Sequence, residues 1–203
     1  GTDREGDEYY NRLLGVDTEM RLTKKDMVQF QFLASKTRYP DATADAFDQD
    51  MGDFAGNAMD FSYSHDTRNW DFTAAYQDIT PGFRADLGYM PQVDYRKGSV
   101  GTNYTWYGKR GGWFRELSLG GQYSYIADQE DNLINSGGFL QLLYRGSMQS
   151  YVTLTGRKWT ESFLGVEFDQ SELSFYSNFK PKRINFTLMG NFGDRVDYAN
   201  VRP

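Results

Sequence analysis

The sequence has no cysteine and one histidine, His65. The first absence excludes disulfides, thiolate metal sites and a cysteine nucleophile. The second leaves too few imidazoles for a histidine zinc site or a multi-histidine relay. No segment approaches the roughly 18 apolar residues of a spanning helix. Positive charge is in deficit: 22 Lys and Arg against 28 Asp and Glu give a net charge of −6. That balance argues against a nucleic-acid partner held by a basic surface. The opening GTDREGDEYYNRLLG lacks both the basic and the apolar region of a secretory leader. It therefore reads as a processed start or as an internal piece of something longer. Aromatic residues, in contrast, are plentiful. Fifteen Tyr, 15 Phe and 4 Trp make up 17% of the 203 residues, beside 21 Gly, a content foreign to disordered chains. The length suffices for a β-barrel or a sandwich without staples.

Alternation, with a period of two, dominates the pattern. Leu14, Val16, Thr18, Met20 and Leu22 alternate with Gly15, Asp17, Glu19 and Arg21. Val28, Phe30, Phe32 and Ala34 follow, then Trp70, Phe72, Ala74 and Tyr76. Leu117, Leu119, Gly121, Tyr123 and Tyr125 form another set, as do Ile184, Phe186, Leu188, Gly190 and Phe192. Weaker examples cover 57–66, 99–107, 133–145, 151–157 and 171–179. Successive side chains of a strand point to opposite faces, so each segment has one apolar and one polar face. The pattern predicts an all-β chain of about ten antiparallel strands, most of them longer than the ~5–6 residues usual in soluble proteins.

Short and long connections alternate along the chain. Tight turns fall at Lys24-Lys25-Asp26, Thr67-Arg68-Asn69, 108–112, Gly146-Ser147-Met148 and 180–183, and several are basic. Long, acidic loops lie near 36–55 and 79–98, with a medium one at DQEDN, and 157–170 reads as less regular. Short turns at one rim and long loops at the other are expected of an outer-membrane barrel. The strands reach the ~9–11 residues that a tilted transmembrane strand needs. Tyr9, Tyr10, Trp70, Trp106, Tyr107, Trp113, Tyr144 and Trp159 fall near strand ends, where interfacial girdles form. The polar face carries Asp17, Glu19, Arg21, Gln29, Gln31, Asp71, Asn103, Glu116, Gln122 and Arg145, suited to a wet lumen. The expectation is a transmembrane β-barrel portion over 1–203, with Leu117, Leu119, Tyr123, Ile184, Phe186 and Leu188 facing lipid. A soluble extracellular β-sandwich that binds carbohydrate through its aromatics is the alternative.

The segment from Ala74 to Gly108 carries a distinctive phrase: Asp78, Ile79, Pro81, Phe83, Asp86, Gly88, Tyr89, Pro91, Asp94, Tyr95 and Arg96. It resembles a bacterial outer-membrane β-barrel domain of unknown function, usually found behind a family-nine-like carbohydrate-binding module. The preceding YNRLLGVDTEMRLTKKDMVQFQFLASKT looks like paired strands of that family. The resemblance implies a bacterial outer-membrane location and a transport, anchoring or surface-assembly role near glycan handling. Such barrels follow an N-terminal module and contain more strands, and neither is present in these residues. With short turns in the periplasm, ten strands would start and end on the long-loop side, so an internal portion of a larger barrel is expected. The expected partners are outer-membrane lipid and lipopolysaccharide, with a surface protein or glycan as a further possibility. No cofactor and no nucleic acid are expected.

Candidate chemistry is sparse. Asp48, Asp50 and Asp53, with Asp41, Asp45 and Gly52, form a weak calcium candidate, and Asp128, Glu130 and Asp131 a fainter one. The spacing lacks the distal Glu and glycine offset of a helix–loop–helix site, so a solvated acidic loop is the simpler reading. His65-Asp66 with Asp71 could be drawn as a base and its orienting carboxylate, the only basis for a barrel-borne hydrolase. No carboxylate pair suited to glycoside hydrolysis stands out. The reading is non-enzymatic. The loop from 79 to 98 would expose Phe83, Leu87, Tyr89, Met90 and Val93 together at a cost. It is expected either to fold inward as a plug, to dock on a partner or to pack on itself, with Phe83, Tyr89, Met90 and Tyr95 as contact residues.

Overall fold

The computed structural model describes residues 1–6, 8–88, 90–147, 149–180 and 184–194. Eleven strands form one antiparallel sheet in strict sequence order. They are β1 (Thr2–Gly6), β2 (Tyr9–Arg21), β3 (Asp26–Arg38), β4 (Asp53–Asp66), β5 (Trp70–Ile79), β6 (Tyr95–Tyr107), β7 (Phe114–Ala127), β8 (Leu133–Gly146), β9 (Tyr151–Phe163), β10 (Val166–Phe179) and β11 (Phe186–Gly193). One short helix, α1 (Asp41–Ala46), interrupts the first long loop. Among the described residues β1 and β11 are the two ends of the order, and the sheet is not closed into a barrel. The nine strands β2 to β10 are 10–14 residues long. Their lengths follow from the uninterrupted alternation of β-branched and aromatic residues with polar ones.

Two details differ from the sequence expectation. The stretch 157–170 is regular: β9 and β10 pair from Tyr151↔Asn178 through Phe163↔Val166. The two residues between them, Leu164 and Gly165, have φ of 52° and 75°. This is the left-handed pair that a two-residue hairpin turn requires, and leucine in its first position conceals the turn. The first long loop is also shorter than 36–55, because β3 runs to Arg38 and β4 starts at Asp53.

The chain divides into two compact units. The first comprises 1–63, 75–98 and 127–132; the second comprises 64–74, 99–126 and 133–203. In the first unit Leu14, Val16, Met20, Leu22, Phe32, Phe61 and Tyr76 are exposed. The opposite face of its strands holds the buried Asn11, Ser35, Thr37 and Ala58. In the second unit the exposed apolar side chains of one face include Trp70, Tyr104, Trp106, Leu119, Tyr123, Tyr125, Leu140, Leu142, Val152, Leu154, Leu173, Phe186 and Leu188, while Phe139, Tyr176 and Met189 are exposed on the opposite face. Thr105, Ser118, Thr155 and Gln170 are buried on its polar face. Each unit thus departs from the usual pattern of a water-soluble protein: many large apolar side chains lie in the open while several hydroxyls and amides are covered, with Phe83 in the first unit and Phe168 in the second as buried apolar exceptions.

Candidate functional site: a strap on the polar face of the first unit

The segment between β5 and β6, residues 80–94, folds back on the polar face of β2, β3 and β4. Hydrophobicity seats it first. Phe83 is fully buried with Ala58 and Ile79, and Leu13, Leu33, Ala85, Met90, Val93 and Tyr95 pack around them. Burying a phenylalanine side chain contributes about 1.5–3 kcal/mol. Glycine permits the close approach: a Cβ on Gly56 would lie 2.1 Å from the Phe83 nitrogen, and one on Gly82 would lie 2.3 Å from the Ala55 carbonyl oxygen. Backbone therefore lies on backbone at this crossing.

Polar groups then fix the register. The Asp86 carboxylate accepts hydrogen bonds from Tyr9 Oη at 2.6 Å and Tyr39 Oη at 2.9 Å. Asn11 donates to Thr37 Oγ1 and to the Arg84 carbonyl, and its own oxygen accepts from the Asp86 N–H. Ser35 Oγ accepts from the Arg84 N–H at 3.0 Å. The Arg84 guanidinium donates to Gln49 Oε1 from two nitrogens and to the Pro81 and Phe83 carbonyls from the third. It also lies over the Phe54 ring, which packs on Tyr39. Burial, reinforced by the Asp86 carboxylate, pushes the Tyr39 phenol above its ordinary value.

The exit from the strap is tied down as well. Gln129 donates to Asp78 Oδ1 through its side chain and to Asp94 Oδ1 through its N–H. Arg96 donates to Asp131 and to the carbonyls of Asp128 and Gln129. Asp128 spends its oxygens on the N–H groups of Glu130 and Asn132 and on the Asn132 amide. Those bonds, the Asn132 side chain foremost, hold its carboxyl below the usual carboxylate range. A small cavity of about 290 Å³ remains beside the strap, lined by Gln49, Arg84, Asp86, Met90, Pro91 and Val93 among others. Arg84 and Asp86 are already committed to the anchoring bonds given above.

Of the expected contact residues, Phe83 is the buried centre, Met90 packs around it, and Tyr95 donates to Gln77 Oε1 at 2.7 Å. Tyr89 lies outside the described residues, as do Pro181, Lys182 and Arg183 of the last turn and Met148. The residues Asp78, Ile79, Phe83, Asp86, Asp94, Tyr95 and Arg96 of the sequence phrase all take part in seating the strap or its exit. Tyr9 was counted with the strand-end girdle, but its hydroxyl is turned to Asp86. The residues that receive the strap (Asn11, Ser35, Tyr39, Gln49 and Gly56) carried no sequence signal, because their partners in it are 26–75 positions away in the chain.

The acidic loop shows no site. Asp48 has φ of 50° just past α1, and Asp53 pairs with Lys36 Nζ at 3.0 Å. No group of three or more metal-ligating side chains gathers among the described residues. His65 packs on Trp70 with ring centroids 4.8 Å apart.

The second unit carries the remaining expected features. On its polar face Asn103 donates to Asp71 Oδ2, Ser118 donates to Asn103, Gln141 donates to Thr155, and Arg145 pairs with Glu116 at 3.3 Å. Aromatics collect at the strand ends beside the short turns. Trp113 stacks on Tyr144, whose hydroxyl donates to the Trp113 carbonyl. Tyr104 and Trp106 lie 4.7 Å apart, and Trp70 Nε1 donates to Thr102. Trp159 is an exception: it pairs with Gly137 and Gln170 inside the sheet and on its polar face, because β9 continues to Phe163. Of the residues expected to face lipid, Leu119, Tyr123, Ile184, Phe186 and Leu188 are exposed, and Leu117 is half-buried. No family model, curated protein or solved structure matches this chain.

Proposed function

We propose that this chain forms part of the wall of a bacterial outer-membrane β-barrel, with the strap 80–94 as an internal plug. The observation that carries the reading is the exposure of one apolar face in each unit, opposite a face of bonded polar groups. Leu188 at 64%, Leu140 at 68% and Leu14 at 72% exposure are costly in water and well placed against hydrocarbon. The role is non-enzymatic: transport, anchoring or assembly at the surface, with lipid and lipopolysaccharide around the wall. The resemblance of the 78–96 phrase supports a setting near glycan handling, with a surface protein or glycan as partner.

The open sheet bears on this reading. In hydrocarbon every backbone donor and acceptor of a spanning strand must be paired, which only a closed barrel achieves. With eleven antiparallel strands, β1 and β11 run in the same direction. Direct closure would need a parallel pair, whereas bacterial barrels have even numbers of antiparallel strands. An odd number of further strands between β11 and β1 satisfies both conditions, in keeping with a portion of a larger barrel.

Cell fractionation of the native protein tests the proposal. It predicts recovery with outer membranes, extraction only by detergent, and a folded form that migrates differently from the heated form on electrophoresis. Recovery as a soluble species without detergent would overturn it.

A further inference from the structure

One residue is out of keeping on the apolar face of β7. Positions 115, 117, 119, 121, 123 and 125 share that face and read Arg, Leu, Leu, Gly, Tyr and Tyr. Arg115 is exposed at the short-turn end of the strand, one place on this face beyond Leu117. It belongs to none of the ion pairs of the described residues. Its chain neighbour Glu116 points to the other face and is paired with Arg145. A guanidinium on a face turned to hydrocarbon is costly unless its tip reaches the interface and finds an anion there.

Glycine clears the space around it. The Gly108 N–H donates to the Arg115 carbonyl at 2.9 Å, so its neighbour on β6 has no side chain. On β8 the Glu116–Arg145 pair sets Gly146 beside Arg115. The Tyr144 hydroxyl covers Gly146, where a Cβ would lie 2.1 Å from it, and donates to the Trp113 carbonyl. Trp113 stacks on that tyrosine and is 69% exposed, and Trp106, on the same face of β6, is 42% exposed. Two open indoles thus neighbour an unpaired guanidinium. The turn after Gly108 adds Lys109 and Arg110, both exposed and without an ion pair among the described residues, and in the adjoining turn Arg68 lies over the Tyr107 ring at 5.1 Å. Asp71 and Glu116 are engaged by Asn103 and Arg145, which leaves Asp66 alone against these four cations.

We propose that this rim binds the phosphodiester headgroup of an anionic glycerophospholipid of the phosphatidylglycerol type, with Arg115 on the phosphate and the acyl chains over Leu117 and Leu119. The inference rests on the barrel reading, which puts hydrocarbon against this face. The occupant must join an anion to an apolar tail, because the cations and the leucines are continuous along one strand. A guanidinium grips two phosphate oxygens at once. Indoles settle at headgroup depth. Lys109 and Arg110 reach the same level from the turn, and their stems cover apolar surface on the way.

Quenching of tryptophan fluorescence by lipids brominated on their acyl chains tests this on the full chain in detergent micelles. Brominated phosphatidylglycerol should quench saturably, and at a lower concentration than brominated phosphatidylcholine. Arg115→Gln should raise the half-point for phosphatidylglycerol by about fivefold, the usual weight of one cation near an anionic lipid surface. Arg115→Lys should recover part of that loss. Arg157→Gln removes the same charge from the polar face and should bind as the parent does. Trp113→Phe should lose a large share of the saturable quenching. Equal half-points for the two lipids, or equal loss in Arg115→Gln and Arg157→Gln, would overturn the proposal. Displacement by millimolar inorganic phosphate would replace it with a free-anion site, and tighter binding of lipid A than of phosphatidylglycerol would refute the choice of occupant. Heat-dependent mobility of the same samples reports separately on the barrel. A barrel without lipid preference therefore sinks this inference alone.

Discussion

Replacing Gly56 by alanine probes the strap without touching its sequence. The added Cβ would lie 2.1 Å from the Phe83 nitrogen, 2.3 Å from the Gly82 carbonyl carbon and 2.5 Å from Phe83 Cα. All three are backbone atoms, so no side chain can rotate away. Ordinary contact at 3.4 Å requires the strap to retreat by about 1.3 Å, the difference from 2.1 Å. A retreat of that size breaks the 3.0 Å bond from the Arg84 N–H to Ser35 and opens the seat of Phe83. Partial loss of an apolar burial worth ~1.5–3 kcal/mol and of hydrogen bonds to a carboxylate worth ~1.5–3 kcal/mol each makes about 3 kcal/mol a fair expectation for docking. At ~1.4 kcal/mol per factor of ten, the undocked population rises on the order of 100-fold. Trypsin cleavage after Arg84 in the folded protein reads that population directly, since in the docked state the guanidinium is held by Gln49. The variant should be cut there on the order of 100 times faster, with its heat-dependent mobility unchanged. Cleavage at the parent rate would refute the backbone-on-backbone seat. Phe83→Ala, which removes the apolar anchor and creates no clash, should accelerate the same cut.

Further outcomes follow from the two faces and the turns. Leu119→Arg and Leu188→Arg should impair membrane insertion, at a midplane cost of ~2–4 kcal/mol, while Gln122→Arg on the polar face inserts normally; equal insertion of all three would contradict the face assignment. Because the Tyr39 phenol is raised above its ordinary value of 10.0 in the folded protein, its contribution to strap docking is complete below pH 10 and declines as pH climbs toward the folded value. Fluorescence of a label on Leu87→Cys should report release above pH 10, and Tyr39→Phe should flatten that dependence. Leu164 at φ 52° bears the left-handed penalty of ~1–2 kcal/mol that Asn largely avoids, so Leu164→Asn should raise the thermal midpoint. An unchanged or lowered midpoint would show that the turn is not of the left-handed type.

Strand identity was legible because alternation records the environment on both sides of each strand: Leu119 against Ser118, or Leu140 against Gln141, needs no distant information. The β9–β10 hairpin was not, because Leu164 takes a conformation that Asn or Gly would have advertised. Misreading it also placed Trp159 at a strand end, when it pairs with Gln170. The strap was legible in part. Exposed together, Phe83, Met90 and Val93 would be costly, which pointed to burial, but the face that receives them depends on Gly56, Asn11 and Tyr39. Their contacts with the strap are set by the pairing of β2, β3 and β4 rather than by local pattern. The aspartates of the acidic loop offered only a weak ligand pattern, read in sequence more simply as a solvated loop, and in the structure Asp53 pairs with Lys36.

The absence of cysteine makes one experiment decisive for the central claim. Single cysteines placed at successive positions 117–125 of β7, each carrying a spin label, can be tested with oxygen, which partitions into hydrocarbon, and with a water-soluble nickel chelate. The account predicts alternation: labels at 117, 119, 121, 123 and 125 relaxed by oxygen, those at 118, 120, 122 and 124 by the chelate. Uniform access to the chelate along the whole strand would contradict it.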